Sequence, residues 1–189
     1  MGKLIVLTGL DGSGTTSVAE YLHKMDPGSA LVRSIDYPFT DCREKIDRII
    51  RERCPVAHYL FYLASVIYAS AQIEELIKGG NVYCVRYLID TVVSHRVAGL
   101  PVDLVYETEL YRIKRPDLTI FLSVREDVRQ ARLEARGKGF LDRVLDDENI
   151  RLKFLREFER FRDEYIEIDT TNKSIEEVAL IIRRLMNER

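Results

Sequence analysis

The segment Lys3–Gly9, "KLIVLTG", constrains this chain more than any other. It is a short, apolar, β-branched run that stops on glycine, the pattern of a strand buried on both faces. The glycine-rich turn "LDGSG" follows, and then a helical pattern, "TTSVAEYLHKM", stopped by Pro27 and Gly28. A strand with no water-facing side needs helices above and below it. The remaining chain provides them in alternation. "ALVRSI" reads as a second strand and "DCREKIDRIIRE" as a helix; Pro55 then opens a long apolar helix over 55–78, closed by Gly79-Gly80. "NVYCVRY" reads as a third strand, with helical regions near 90–98 and 102–113 after it. "PDLTIFLSV" is the fourth strand, followed by the helix "REDVRQARLEARG", the charged loop "KGFLDRVLDD" and the helix "ENIRLKFLREFERFRDEY". "YIEIDT" is the fifth strand and "SIEEVALIIRRLMN" the closing helix. This order predicts one α/β domain over 1–189, built on a mostly parallel sheet covered on both faces.

Bulk properties narrow the partners. The net charge is −2, so nothing in the balance of charge suggests a nucleic-acid partner. The N-terminal apolar run is too short for a signal peptide, and no stretch reads as the ~18 apolar residues of a membrane span. The expectation is a cytoplasmic protein with neither a nucleic acid nor a membrane as partner. Cys42, Cys54 and Cys84 form no close pair and no metal spacing, which suits reduced thiols. His23, His58 and His95 are scattered and suggest no ligand set or nucleophile. Asp146-Asp147 reads as the start of a helix, where carboxylates oppose the dipole.

The turn after the first strand carries the chemistry. "GLDGSGTT", Gly9 to Thr16, differs by one residue from the phosphate-loop pattern G-x-x-x-x-G-K-[S/T], with Thr15 at the Lys position. Its place between a strand and a helix is the one a phosphate loop requires. Gly9, Gly12 and Gly14 allow the tight turn that aims successive N–H groups at an anion, and the helix dipole adds to them. Gly9, Leu10, Asp11, Gly12, Ser13, Gly14, Thr15 and Thr16 therefore form the expected ATP-phosphate cradle, with the Thr16 hydroxyl at the position that holds Mg²⁺. The glycine spacing does not satisfy G-x-G-x-x-G, the dinucleotide pattern. Loss of one preorganised donor typically costs about 10²–10³ in rate. Either another cation stands in for the missing Lys, or activity is weak or absent.

Taken in order along almost the whole chain, these stretches resemble the thymidylate kinase family of nucleoside-monophosphate kinases. "GLDGSGTT" matches its G-x-D-G-x-G-K-T/S, including Asp11. "LFYLAS" at 60–65 falls on L-F-x-x-x-R, "VRY" at 85–87 on D-R-Y/H, and "RPDLTIFLSV" on P-D-L-T-x-x-L-x-V. "ARGKGFLDRV" resembles the lid, and "IEIDTTNKSIEEV" the strand and loop that touch adenine. The resemblance implies a P-loop NTPase fold with a five-stranded parallel sheet in the order 2-3-1-4-5. It also implies a lid near 137–147 and a homodimer through the helix at 55–78. The implied reaction is ATP-dependent conversion of dTMP to dTDP with Mg²⁺.

Residue by residue, it implies Arg86, Arg143 and Asp11 as the catalytic set, with Arg143 on the lid. Arg136 and Thr171 join the loop in holding ATP, and Thr16 and Asp11 are the metal candidates. Asp11, Arg43, Phe61, Ser65, Tyr68, Arg86 and Thr91 are the expected acceptor-binding residues, with Arg33 and Tyr62 as further candidates. Asp36 and Asp90 are further carboxylates for Mg²⁺; Asp90 alternatively caps a helix. The departures are Thr15 for Lys, Val85 for the Asp of D-R-Y, Ser65 for the Arg that reads a thymine carbonyl, and Phe39 where an Arg often serves the acceptor phosphate. Ser65 leaves open a kinase for another nucleoside monophosphate such as dUMP. Thr15 with Val85 leaves open a catalytically silent nucleotide-binding protein.

Overall fold

The structure is a computed structural model, and it describes residues 2–139 and 143–188. Five parallel strands are seen: β1 (Leu4–Thr8), β2 (Ala30–Arg33), β3 (Val82–Val85), β4 (Leu118–Ser123) and β5 (Ile166–Asp169). Their order is β2-β3-β1-β4-β5, the order the resemblance implies. The β1 residues are all buried, because β3 and β4 flank the strand in the sheet and helices cover both faces. Helices run between and after the strands, among them α1 (Thr15–Met25), α2 (Phe39–Ile49), α3 (Pro55–Leu76), α4 (Leu88–Val97), α5 (Glu126–Arg136), α6 (Glu148–Glu159) and α7 (Ile175–Glu188).

Two apolar clusters sandwich the sheet. On one face Leu4, Val6 and Cys84 meet Val66, Ile73 and Leu88 from α3 and α4. On the other, Ile5, Leu7 and Val85 meet Val18 and Leu22 of α1 and Ile182 of α7. Even and odd residues of β1 thus divide between the two cores, as the two-residue repeat of a strand demands. Val85, at the position where the resembled motif has an Asp, belongs to the second core.

Three expectations need correction. Residues 102–113 are not helical. Val102, Leu104 and Tyr106 are partly buried while Asp103, Val105 and Glu107 are exposed, and this two-residue alternation belongs to extended chain. The segment ends in a short turn with Thr108 N donating to Tyr111 O and a bridge between Glu107 and Arg112. The second correction concerns α3, which is long and apolar enough by length and hydropathy alone to cross a membrane. Here it is a core helix on one side, with Leu63, Val66, Ala69 and Ile73 buried against β2 and α4. Thirdly, the helix expected over 148–165 stops at Glu159, and a 3₁₀ turn over Arg162–Glu164 completes the span.

Ile73 is fully buried and Leu110 is 91% exposed, so their truncations should differ sharply. We expect Ile73→Ala to cost about 2–5 kcal/mol by denaturant unfolding, through lost burial plus a cavity. Leu110→Ala should stay within about 0.5 kcal/mol. Equal effects would contradict this placement of α3.

Candidate active site

The loop between β1 and α1 has the backbone a phosphate cradle needs. Gly9, Gly12 and Gly14 all take positive φ, at 147°, 90° and 101°. A Cβ on Gly9 would lie 2.5 Å from the Leu122 carbonyl oxygen, and one on Gly12 2.9 Å from Cγ of Arg129. No acidic residue occupies the first turn of α1, so its N-terminal field is left open to an anion. Arg129 backs the loop from behind. It is 1% exposed, donates from Nη1 to Asp11 O (3.1 Å) and from Nη2 to Leu145 O (3.2 Å), and pairs with Glu126 at 2.7 Å. Sequence reading missed this support, although the i,i+3 spacing of Glu126 and Arg129 was its visible signal.

Two clefts open beside the loop. The first runs along Gly12–Val18 and is walled by Arg86, Arg132, Arg136, Thr170 and Lys173. Thr16 is exposed here, whereas Thr15 is buried at the start of α1. Arg136 lines this cleft, where the resemblance puts it. Thr171 does not: its hydroxyl donates to Asp169, and the neighbouring Thr170 faces the cleft. Arg132 is committed to structure, donating to Thr170 Oγ1 (3.0 Å) and Thr170 O (2.8 Å), which fastens α5 to the end of β5.

The second cleft is walled by Gly9, Leu10, Asp11, Arg43, Arg86 and Thr91, and continues past Tyr62 and His58 to Arg51 and His95. Phe61, Ser65 and Tyr68 stand outside its lining. Phe61 and Tyr68 pack on Phe39, with ring centroids 5.6 and 5.9 Å away, and the buried Ser65 donates to Tyr62 O at 2.7 Å. Arg33 is likewise elsewhere, in a surface pair with Glu20, and Asp36 is spent on the amide of Tyr37. Arg143 is exposed and lines neither cleft. Part of the expected lid, 140–142, lies outside the described residues. Lys138 pairs with Asp146, and Asp147 caps α6 through the amides of Asn149 and Ile150.

Asp11 and Arg86 line both clefts, and they are joined: Arg86 Nη2 donates to Asp11 Oδ1 at 2.5 Å. Arg86 is the only non-glycine residue among those described with positive φ, at 63°. That turn releases the chain from β3 and directs it into α4. Behind the pair sits Asp90, which is buried and accepts from Thr8 Oγ1 (2.7 Å) and the Tyr87 amide (2.9 Å). Burial pushes its carboxyl above the ordinary value, opposed by the charge of Arg86 and those two bonds. Asp90 thus both caps α4 and lines the second cleft. Among the described residues no cluster of three or more His, Cys, Asp or Glu could hold a metal. Mg²⁺ in general keeps several waters and takes few protein ligands beside substrate phosphates. The exposed Thr16 hydroxyl is the group that would bind it; the Asp11 carboxylate is already engaged by Arg86.

Two of the three histidines, His58 and His95, meet in space, contrary to the sequence expectation, while His23 stays apart beside Ser29. His95 Nδ1 meets Thr91 O at 2.7 Å, His95 Nε2 meets His58 Nδ1 at 2.8 Å, and His58 Nε2 meets Asp47 Oδ1 at 2.9 Å. Tyr62 OH also donates to Asp47, at 2.7 Å, and accepts from Arg43 Nε at 3.3 Å. A carbonyl only accepts, so the His95 proton is on Nδ1 and its Nε2 accepts from His58. Burial would raise the Asp47 carboxyl, but the bonds from His58 and Tyr62 and the charge of Arg43 hold it below the ordinary value. The i,i+4 spacing of His58 and Tyr62, and of Thr91 and His95, was in the sequence; the packing of α3 on α4 that joins them was not.

Comparison with known proteins agrees with this geometry. The thymidylate kinase family model matches residues 7–182. The chain belongs to the thymidylate kinase family. A protein of Methanococcus maripaludis strain C7 named as a probable thymidylate kinase is 30% identical over 190 residues, covering 94% of this chain and 92% of its own. One from Methanocaldococcus jannaschii, named likewise, is 30% identical over 185 residues, covering 92% and 90%. Among solved structures, a thymidylate kinase from Candida albicans superposes with a TM-score of 0.73 at 18% identity, over 99% of this chain and 92% of that one. A deoxyadenosine kinase from M. mycoides gives 0.69 at 16% identity, over 98% and 100%. At those identities the structural matches establish the shared fold, and the family match establishes a nucleoside-monophosphate kinase.

Burial depresses His95 to about 4, against the opposing hydrogen bond to Thr91 O. An unfolded histidine titrates near 6.5. Between those values the unfolded chain holds more protons, so stability is full above about pH 6.5 and drains as pH falls toward 4. We expect the melting temperature of the unaltered protein to fall between pH 7 and 5, a window above most carboxylate titration. His95→Gln should flatten that slope. An unchanged slope would refute the buried neutral imidazole.

Proposed function

We propose that this chain transfers the γ-phosphoryl group of ATP to the phosphate of dTMP, giving ADP and dTDP. The observation that carries the reading is the Asp11–Arg86 pair, which belongs to both clefts at once. A donor nucleotide along the glycine loop and an acceptor in the second cleft would meet there. In the transfer an acceptor-phosphate oxygen forms a bond to the γ-phosphorus while the bond from that phosphorus to the β–γ bridging oxygen breaks. Such transfers rest on positioning and on neutralising the oxygens, with little covalent work for the protein. Bound Mg²⁺ neutralises part of the phosphate charge. The loop amides and the α1 N-terminus hold the donor's phosphates. Arg86, fixed by Asp11, is the cation placed between the two substrates, where the loop itself has Thr15 in place of Lys.

Family membership favours dTMP, and dUMP is the acceptor to compare. The reading extends to a single domain over 1–189, working in the cytoplasm as a homodimer without a nucleic-acid or membrane partner. Support for the dimer comes from apolar residues of α3 left exposed, Val56, Leu60, Tyr68 and Leu76, at between 42 and 55%.

Coupled assay of ADP release across nucleoside monophosphates tests the reaction. Release that depends on dTMP and Mg²⁺ is expected. ATP binding without release for any acceptor would establish the silent alternative. Arg143 is proposed to reach the transferring group when the lid closes, so Arg143→Ala should lower kcat about ten-fold or more and leave ATP affinity within two-fold. A wild-type kcat would remove Arg143 from the mechanism.

A further inference from the structure

The far end of the acceptor cleft has donors to spare and no acceptor carboxylate left. Three carboxylates lie around the cleft, and the protein's own donors engage each one. Asp11 is held by Arg86. Asp90 is held by Thr8 and the Tyr87 amide. Asp47 takes His58 and Tyr62 on Oδ1, with Arg43 3.5 Å from Oδ2. Arg51 is different. It lines the cleft from the loop between α2 and α3, is half-buried, and has no hydrogen bond or ion pair among the described residues. Its electrostatic neighbour is His95, another cation-disfavouring site, which Arg51 helps to keep uncharged. His95 in turn is locked by Thr91 O and His58, so it has no ring nitrogen left with which to read a ligand.

A half-buried guanidinium without a carboxylate is a donor fork awaiting acceptors. The hydroxyls of Thr91 and Ser94 line the same cleft and serve either role. A ligand edge bearing carbonyl oxygens matches this wall. An edge bearing an amino group would set N–H donors against the guanidinium and leave both unsatisfied, which is how polar sites discriminate most strongly. Ser65, at the motif position of the base-reading Arg, is buried with its hydroxyl bonded inside α3, so that position reads nothing.

We propose that Arg51 selects the acceptor base, favouring a pyrimidine-2,4-dione through its carbonyl edge and rejecting bases that present an amino group there. The inference rests on the acceptor reading of this cleft given above. His58 and His95 are positioning residues: their bonds to Asp47 and Thr91 use up the nearby acceptors and fix the wall that Arg51 completes.

Calorimetric titration with dTMP and dCMP tests this without needing turnover, using the unaltered protein, Arg51→Gln and Arg51→Lys. Arg51 has no hydrogen-bond or ion-pair partner among the described residues, so neither substitution should lower the melting temperature. The unaltered protein should bind dTMP at least about ten-fold more tightly than dCMP. A hydrogen bond to a charged group corresponds to about a ten- to hundred-fold effect, and Arg51→Gln should weaken dTMP by that factor while leaving dCMP within two-fold. Arg51→Lys should retain part of the preference. An unchanged dTMP-to-dCMP ratio in Arg51→Gln, or equal weakening of both nucleotides, overturns the proposal. So does an unaltered protein that binds the two equally. Failure of the kinase reading shows separately, as bound dTMP without ADP release.

Discussion

The contact between Asp11 and Arg86 joins the loop after β1 to the end of β3, and the site is organised around it. It exists because β1 and β3 are neighbours in a parallel sheet whose strands all end on the same edge. Arg86 still belongs to the ladder, donating its amide to Leu7 O at 2.9 Å, and then turns away with positive φ. That conformation costs a non-glycine residue on the order of 1 kcal/mol, and such strain persists where the surroundings enforce it. Here the ladder bond on one side and the helix start at Leu88 on the other enforce it. The result is a guanidinium held at the seam between the two clefts.

Around that seam, three of the four polar groups absent from motif positions are matched by a group of like charge in the clefts. Val85 is part of the apolar core, and Asp90 stands in the cleft beside Arg86. Thr15 is buried in α1, and Arg86 lines the loop's cleft. Ser65 is turned into its own helix, and Arg51 enters from the neighbouring loop. Charge near a phosphate or a base edge matters through position, not through the element that carries it.

Most of the fold was legible because it depends on local patterns. Apolar runs ending in glycine marked the strands, and Pro55 and Gly79-Gly80 bracketed α3 closely. The segment 102–113 misled because its apolar residues were read as a helix face, when their two-residue alternation describes extended chain lying on the core. The phosphate cradle was legible for the same local reason: the glycines, Thr16 and the strand-to-helix position all lie within one short stretch. The acceptor cleft was not. Asp47, His58 and His95 come from three helices, and only the packing of α2, α3 and α4 makes a chain of bonds from them. Phe61 matches a motif aromatic and Tyr68 lies two turns on along the same helix, but both rings close on Phe39, outside the cleft lining.

Arg86 is proposed to do the electrostatic work that the loop, with Thr in place of Lys at position 15, does not do. A double-mutant cycle in kcat for ADP release reads this directly, with Thr15→Lys, Arg86→Ala and the pair together. Redundant charges must couple. The account predicts that Thr15→Lys changes kcat less than about ten-fold in the unaltered protein, and raises it by a clearly larger factor when Arg86 is absent. Equal factors in the two backgrounds would mean that the two positions act independently, and would contradict the account.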